Sequence, residues 1–251
     1  KEVRMLREEL FNKLKYCKLS GMIDVFDRVL EEALDKELNH LEFFEMLLDE
    51  EVINRENRRY NRLLKNACFP TIKTIDTFDF SKAPFLNKKE IMELFTLDFL
   101  NDNQNIIFIG DQGTGKTHIV TSIGVETCKQ GKSVLFFTAA SLGNKLIEMQ
   151  EQLALGKFIE KLRKVDLLII DELGYVSLSH RSTQLLFQVF SERYEKGSIM
   201  ITSNLEFGEW GNIFNDEIMA AAIIDRLIHN SIIKSFKGPS YRLLSRQEKI
   251  V

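Results

Sequence analysis

The sequence predicts an α/β fold, with a five-stranded, mostly parallel sheet covered by helices on both faces and preceded by a small all-helical unit. Three observations lead there. Residues 1–67 contain one glycine and no proline, and their apolar residues recur at helical spacing. From Lys88 onward, short apolar runs alternate with longer amphipathic stretches, the pattern of parallel strands joined by crossover helices. Between the two halves, residues 68–84 carry two of the three prolines and break the periodicity. The expected organisation is therefore a helical domain over 1–67, a linker over 68–84 and an α/β domain over 85–251.

In the helical domain, Val3, Leu6, Leu10 and Leu14 mark a first helix. Met22, Val25, Phe26, Val29 and Leu30 mark a second, and Leu41, Phe44, Leu47 and Leu48 a third. Ser20 is expected to cap the second helix and Asn39 the third, where Glu42 completes a capping box. Charge is segregated: residues 1–18 carry six bases against three acids, residues 24–51 eleven acids against two bases, and residues 52–65 five bases against one acid. Arg55, Arg58, Arg59, Arg62 and Lys65 mostly share one helical face. Such a ridge is either a solvated surface or a contact for nucleic-acid phosphates that reads no sequence.

In the α/β domain, an amphipathic helix is expected from Ile91 to Leu100. Strands follow at Asn105–Ile109, Ser133–Phe137, Asp166–Ile170, Ser198–Thr202 and Ser231–Phe236, separated by helices. The first strand runs into Gly110-x-x-x-x-Gly115-Lys116-Thr117, and a helix through Ile119, Ile123 and Val125 follows. This strand–loop–helix context is the one a phosphate-binding loop requires. Gly110, Gly113 and Gly115 let the backbone curl so that its N–H groups face an anion, and the helix N-terminus adds its positive end. The cradle spans Gly110, Asp111, Gln112, Gly113, Thr114, Gly115, Lys116, Thr117 and His118. Lys116 is placed for the β- and γ-phosphates and Thr117 for Mg²⁺. A dinucleotide site is disfavoured, because the spacing is G-x-x-G-x-G and no acid ends the next strand. Phe78 and Phe80 could fold back against an adenine ring or simply anchor the linker.

The third strand ends in Asp171-Glu172. Two carboxylates at the end of a buried strand are costly unless they have work to do. Asp171 suits Mg²⁺, and Glu172 suits the polarisation of an attacking water. Together with the loop roughly 55 residues upstream, the pair points to ATP hydrolysis with ATP and Mg²⁺ bound. Asn204, after the fourth strand, could hydrogen-bond the γ-phosphate or the water, or cap a turn. Arg226 could reach a neighbouring subunit's ATP, or pair with Asp225.

Composition excludes several classes. The chain has 251 residues, 44% of them apolar, which suffices for a packed core. No apolar run approaches the ~20 residues of a membrane span, and the charged start is unlike a signal peptide, so no membrane association and a cytoplasmic location are expected. Cys17, Cys68 and Cys128 are isolated, and His40, His118, His180 and His229 form no ligand cluster, which leaves neither a disulfide framework nor a zinc site. The net charge of −3 gives no global sign of nucleic-acid binding. Local charge does: residues 141–164 exceed one helix, with an expected break near Gly156, and carry Lys145, Lys157, Lys161, Arg163 and Lys164.

The segments GDQGTGKTHI, LLIIDELGYVSLS, LLFQVFSERYEKGSIMITSNLEFGEWGNIFND and AAAIIDRLIHNS with KGPSYRL together resemble the IstB-like transposition helper ATPases, relatives of DnaC-type helicase loaders and DnaA-type initiators. The resemblance covers the whole chain. It implies an AAA+ P-loop fold without a C-terminal lid domain, and homo-oligomers with ATP at subunit interfaces assembled on double-stranded DNA. It also implies recruitment and stimulation of a transposase; helicase loading is the alternative. By the same resemblance, residues 110–117 correspond to Walker A, Asp171 and Glu172 to Walker B, Asn204 to sensor 1, Arg226 to the arginine finger and, less closely, Arg242 to a second sensor. Initiator-type relatives place an extra DNA-facing helix where residues 141–164 lie, which makes Lys145, Lys157 and Lys161 expected DNA contacts alongside the ridge from Arg55 to Lys65.

Overall fold

The structure, a computed structural model, describes residues 2–241. They divide into two compact units at Arg62/Leu63. The first holds α1 (Glu2–Tyr16), α2 (Ser20–Asp35) and most of α3 (His40–Ala67). Met22, Val29 and Leu47 form its core with Leu14, Phe26 and Phe43 packed around them. Met22, Val29 and Leu47, the buried three, each contribute about 1.5–3 kcal/mol by leaving water.

The expected capping box is present: the Asn39 side chain accepts from the N–H groups of Leu41 and Glu42, and Glu42 accepts from the N–H of Asn39. The expected Ser20 cap is not. Ser20 is the first helical residue, preceded by Leu19, which offers no side-chain cap. The exposed backbone donors are met from another helix: Glu51 Oε2 on α3 accepts from the N–H groups of Gly21 (2.6 Å) and Met22 (3.3 Å). A carboxylate at this end also suits the helix dipole. The approach requires glycine at 21, since a Cβ there would lie 2.8 Å from Asn54 Cβ and 2.9 Å from Glu51 Cα.

In the second unit, α4 (Lys88–Glu93) is capped by Asn87 and ends in a tight turn over Leu94–Thr96, and α5 (Asp98–Asn101) follows. The single helix expected over Ile91–Leu100 is therefore broken at Leu97, whose φ is +63°. In one unbroken helix Phe99 would face away from Leu94 and Leu97; the break lets all three be buried.

The sheet strands are β1 (Asn105–Gly110), β2 (Val134–Thr138), β3 (Leu167–Leu173), β4 (Ser198–Ser203) and β5 (Ser231–Phe236). Their spatial order is β2-β3-β4-β1-β5, and every adjacent pair is parallel. Between them run α6 (Lys116–Lys129), α7 (Ala139–Glu151), α8 (Leu155–Lys164), α9 (His180–Arg193), α10 (Trp210–Phe214) and α11 (Glu217–Ile228). Side chains alternate across the sheet. Ile107, Ile109, Leu168, Ile170, Ile199 and Ile201 join Leu142, Leu186, Phe190, Trp210 and Ile223 from the helices of one layer. The other face is covered by α6, where a Cβ on Gly124 would meet Ile169 and Phe69 at 2.8 Å.

The break between α7 and α8 falls at Gln152–Ala154 and not at Gly156, which lies inside α8. Leu153 has φ +55°, with Ala154 N–H donating to Met149 O and Leu153 N–H to Gln150 O, the paired bonds of a helix-ending Schellman turn in which leucine occupies the position glycine usually takes. At the far end of α8, fully buried Arg193 from α9 donates to the carbonyls of Leu162, Arg163 and Val165 and to those of Asp166 and Ser198. One guanidinium thus closes the α8 C-terminus and ties it to the starts of β3 and β4. Burial lowers its pKa to about 10, which leaves it charged at neutral pH.

Candidate nucleotide site

The sheet order brings the carboxyl ends of β1, β3 and β4 side by side, the edge where ligands of open α/β sheets bind. β1 ends at Gly110, which pairs with Phe236 of β5 so closely that a Cβ would lie 2.3 Å from its carbonyl oxygen. The chain then curls through Gly113 (φ +76°) and Gly115 (φ +100°) into α6. Thr114 is buried and braces the curl by donating to Asp111 O at 2.8 Å.

Lys116, the first residue of α6, folds back along the loop and donates to the carbonyls of Gly110 and Asp111, each at 2.6 Å. Burial lowers its pKa, an effect opposed by the charges of Asp111 and Asp171. The ammonium is therefore held inside the loop by carbonyl dipoles that a phosphate oxygen can replace. Thr117 follows, and its hydroxyl lies 3.1 and 3.0 Å from the two oxygens of Asp171. Both are hard oxygen donors at the loop's mouth, which fits Mg²⁺, an ion that takes one or two protein ligands when phosphate and water supply the rest. No cluster of three or more His, Cys, Asp or Glu side chains able to hold a metal occurs among the described residues.

Asp171 and Glu172 are adjacent in sequence but differently housed. Asp171 is buried and Glu172 exposed. The β3–β4 register shifts between Ile170 and Leu173, and Glu172 has φ +60°, so a bulge separates the two carboxylates. Thr202 at the end of β4 fixes the bulge: its hydroxyl accepts from the Glu172 N–H (2.9 Å) and donates to Asp171. Sequence reasoning missed Thr202. Its signal was a polar residue directly after the apolar run Ile199–Ile201, two positions before Asn204.

Asn204 sits just beyond β4 with its amide oxygen buried and without a hydrogen-bond partner, a polar group suited to a ligand or water. Arg226 stands apart on α11. It does not pair with Asp225; its guanidinium lies 4.7 Å from the Phe187 ring and donates to Ala222 O at 2.9 Å.

Phe78 is buried against the loop, where a Cβ on Gly115 would come 2.6 Å from its ring. His118 joins the same segment to α6 through Thr74 O and the Thr77 hydroxyl, and burial lowers its pKa. Tyr241, which sequence reasoning passed over, stacks on Phe78. Arg242 lies outside the described residues.

The basic candidates lie elsewhere. Arg58, Arg59, Arg62 and Lys65 are exposed along α3, whereas Arg55 donates to the buried Glu51 carboxylate at 2.6 Å and is part of the helix-capping network. Lys145 on α7 pairs with Glu148, while Lys157 and Lys161 are exposed along α8. No helix among the described residues is long and apolar enough to cross a membrane.

A family model described as IstB-like ATP binding protein matches residues 12–249. The chain is similar to the insertion sequence IS5376 ATP-binding protein of Geobacillus stearothermophilus, 41% identical over 93% of this chain and 94% of that protein. It is also similar to the insertion sequence IS21 ATP-binding protein of Pseudomonas aeruginosa, 37% identical over 96% of this chain and 90% of that one. Among solved structures, AMPPCP-bound DnaA from Aquifex aeolicus superposes with a TM-score of 0.58 over 73% of this chain and 56% of that chain, at 22% identity. That likeness shows the AAA+ P-loop fold.

Proposed function

The chain belongs to the IstB-like ATP-binding protein family, and we propose that it is an ATPase that oligomerises on double-stranded DNA and recruits and stimulates a transposase. The observation that carries this reading is the Thr117 hydroxyl 3.0 Å from Asp171, which joins the start of α6, beside Lys116, to the end of β3, beside Glu172. A nucleotide-binding fold that merely held ATP would not need the exposed Glu172 beside a buried Asp171.

In this mechanism the loop N–H groups and the α6 N-terminus bind the phosphates. Lys116 exchanges the Gly110 and Asp111 carbonyls for phosphate oxygens. Thr117 and Asp171 would hold Mg²⁺, which supplies charge stabilisation during phosphoryl transfer. Glu172 takes a proton from the attacking water, and Asn204 uses its unpartnered oxygen to orient that water. Arg226 acts in trans on the ATP of a neighbouring subunit, leaving its stack on Phe187 to do so.

DNA binding is supported by two exposed basic stripes, Arg58, Arg59, Arg62 and Lys65 on α3 and Lys157 and Lys161 on α8. Phosphate contacts of this kind carry no base information, so binding should be salt-sensitive and weakly sequence-specific. The relatives that share most of the chain are insertion-sequence proteins, which favours transposition over helicase loading. Steady-state turnover and ATP binding measured on two variants test the catalytic part. Lys116→Ala should lose ATP binding, whereas Glu172→Gln should keep it and lose turnover by about 10² or more. Equal turnover in Glu172→Gln and the native protein would remove Glu172 from the mechanism.

A further inference from the structure

A strap of chain downstream of β5 runs along the phosphate loop. Asp111 N–H donates to Phe236 O at 3.1 Å, Gly238 N–H to the Asp111 carboxylate at 3.1 Å, and Tyr241 N–H to Gly113 O at 2.8 Å. Ser240 lies so close that a Cβ on Gly113 would meet its Oγ at 2.4 Å. The strap thus delivers the Tyr241 ring to the loop with its backbone already pinned there.

That ring completes an aromatic cluster. Tyr241 stacks on Phe78 with centroids 5.4 Å apart and planes inclined by 20°. Phe80 and His118 meet Phe78 edge-on at 4.9 and 5.2 Å. The cluster borders the site directly: Phe78 abuts Gly115, and His118 follows the metal-side Thr117 in sequence. Tyr241 covers one face of Phe78 in a near-parallel stack. Among the described residues the tyrosine hydroxyl accepts a 3.3 Å bond from the Asp79 N–H, and Lys82 Nζ lies 5.9 Å from the ring centroid. Side-chain rotation alone can therefore lift the ring while the Gly113 bond stays in place.

We propose that Tyr241 and Phe78 are the base-binding pair of the site, the purine ring of ATP entering between them in place of their mutual stack. This deepens the nucleotide reading above and rests on it. Phosphate recognition belongs to the loop and base recognition to the two rings, one upstream of β1 and one downstream of β5. A purely structural role, in which the rings only staple linker and strap to the loop, makes a different demand: it would affect phosphate binding with or without a base.

The test compares ATP, CTP and inorganic tripolyphosphate binding by calorimetry in the full chain and in Tyr241→Ala, Tyr241→Trp and Phe78→Leu. Loss of one base–aromatic stack should weaken ATP binding about 10-fold or more in Tyr241→Ala. The same variant should leave tripolyphosphate affinity unchanged, narrow the preference for ATP over CTP, and be rescued by Tyr241→Trp. Phe78→Leu, which keeps an apolar filler beside Gly115, should show the same selective loss. Unchanged ATP affinity in Tyr241→Ala, or parallel loss of ATP and tripolyphosphate, overturns the proposal. Failure of the native chain to bind either ligand would instead overturn the nucleotide reading beneath it.

Discussion

At the scale of single residues, the site is built by side chains that each answer two demands. Lys116 satisfies two loop carbonyls while remaining exchangeable, and Thr202 holds the bulge that separates Asp171 from Glu172. Glu51 shows the same economy in the helical unit, where it caps α2 and receives Arg55. Burial by itself would raise the Glu51 pKa, but the hydrogen bonds from Arg55, Gly21 and Met22 outweigh it and bring the net value below the ordinary 4.5. Its contribution to stability is therefore complete above about pH 4.5 and is lost as the pH falls through the lower folded-state value. Helicity followed by circular dichroism during acid titration should show this loss in the native chain and not in Glu51→Gln, which should be less stable at neutral pH by about 1–3 kcal/mol. An unchanged acid transition in Glu51→Gln would contradict the capping role. The candidate site was legible from local spacing, Gly110 to Thr117 and Asp171-Glu172, and the fold brings the Thr117 hydroxyl within 3.0 Å of Asp171. The capping role of Glu51 and the roles of Thr202 and Tyr241 were not, because Gly21 and Met22, Glu172, and Asp79 lie 29 or more positions from them and only the folded register brings them together.

At the scale of elements, helical and strand periods were legible and the interruptions were not. Leu97 and Leu153 both adopt left-handed backbone that glycine would signal and leucine does not. The Leu153 turn moved the α7–α8 break away from Gly156, and α8 is instead positioned from its other end by Arg193. Removing that guanidinium leaves several buried carbonyls unpaired, each at a cost of about 1–3 kcal/mol. Arg193→Ala should accordingly lower stability by at least ~3 kcal/mol in denaturant unfolding; a loss below ~1 kcal/mol would mean that water serves those carbonyls equally well. On the exposed side of the same helix, neutralising Lys157 and Lys161 together should weaken DNA binding without altering base preference. The dependence of log affinity on log salt should fall by about 2. An unaltered salt slope would take α8 out of the DNA interface.

At the scale of the whole molecule, a nucleotide site open at the carboxyl edge of a parallel sheet, basic stripes on α3 and α8, and Arg226 on α11 suit a protein whose ATP state is read out as assembly on DNA. The overall class was legible because the phosphate loop and the acid pair are contiguous motifs in a required strand context. Geometry between subunits is a property of no single chain, so the role proposed for Arg226 is not disclosed by its own surroundings, a contact with the Phe187 ring. The most direct measurement is the sedimentation of Glu172→Gln on a short DNA duplex with ATP, with ADP and without nucleotide, alongside the double variant that also carries Arg226→Ala. An ATP-switched assembly requires a large DNA-bound species with ATP alone, and requires Arg226→Ala to restore turnover-independent disassembly or prevent assembly altogether. The same DNA-bound species in all three nucleotide conditions, indifferent to Arg226→Ala, would contradict it.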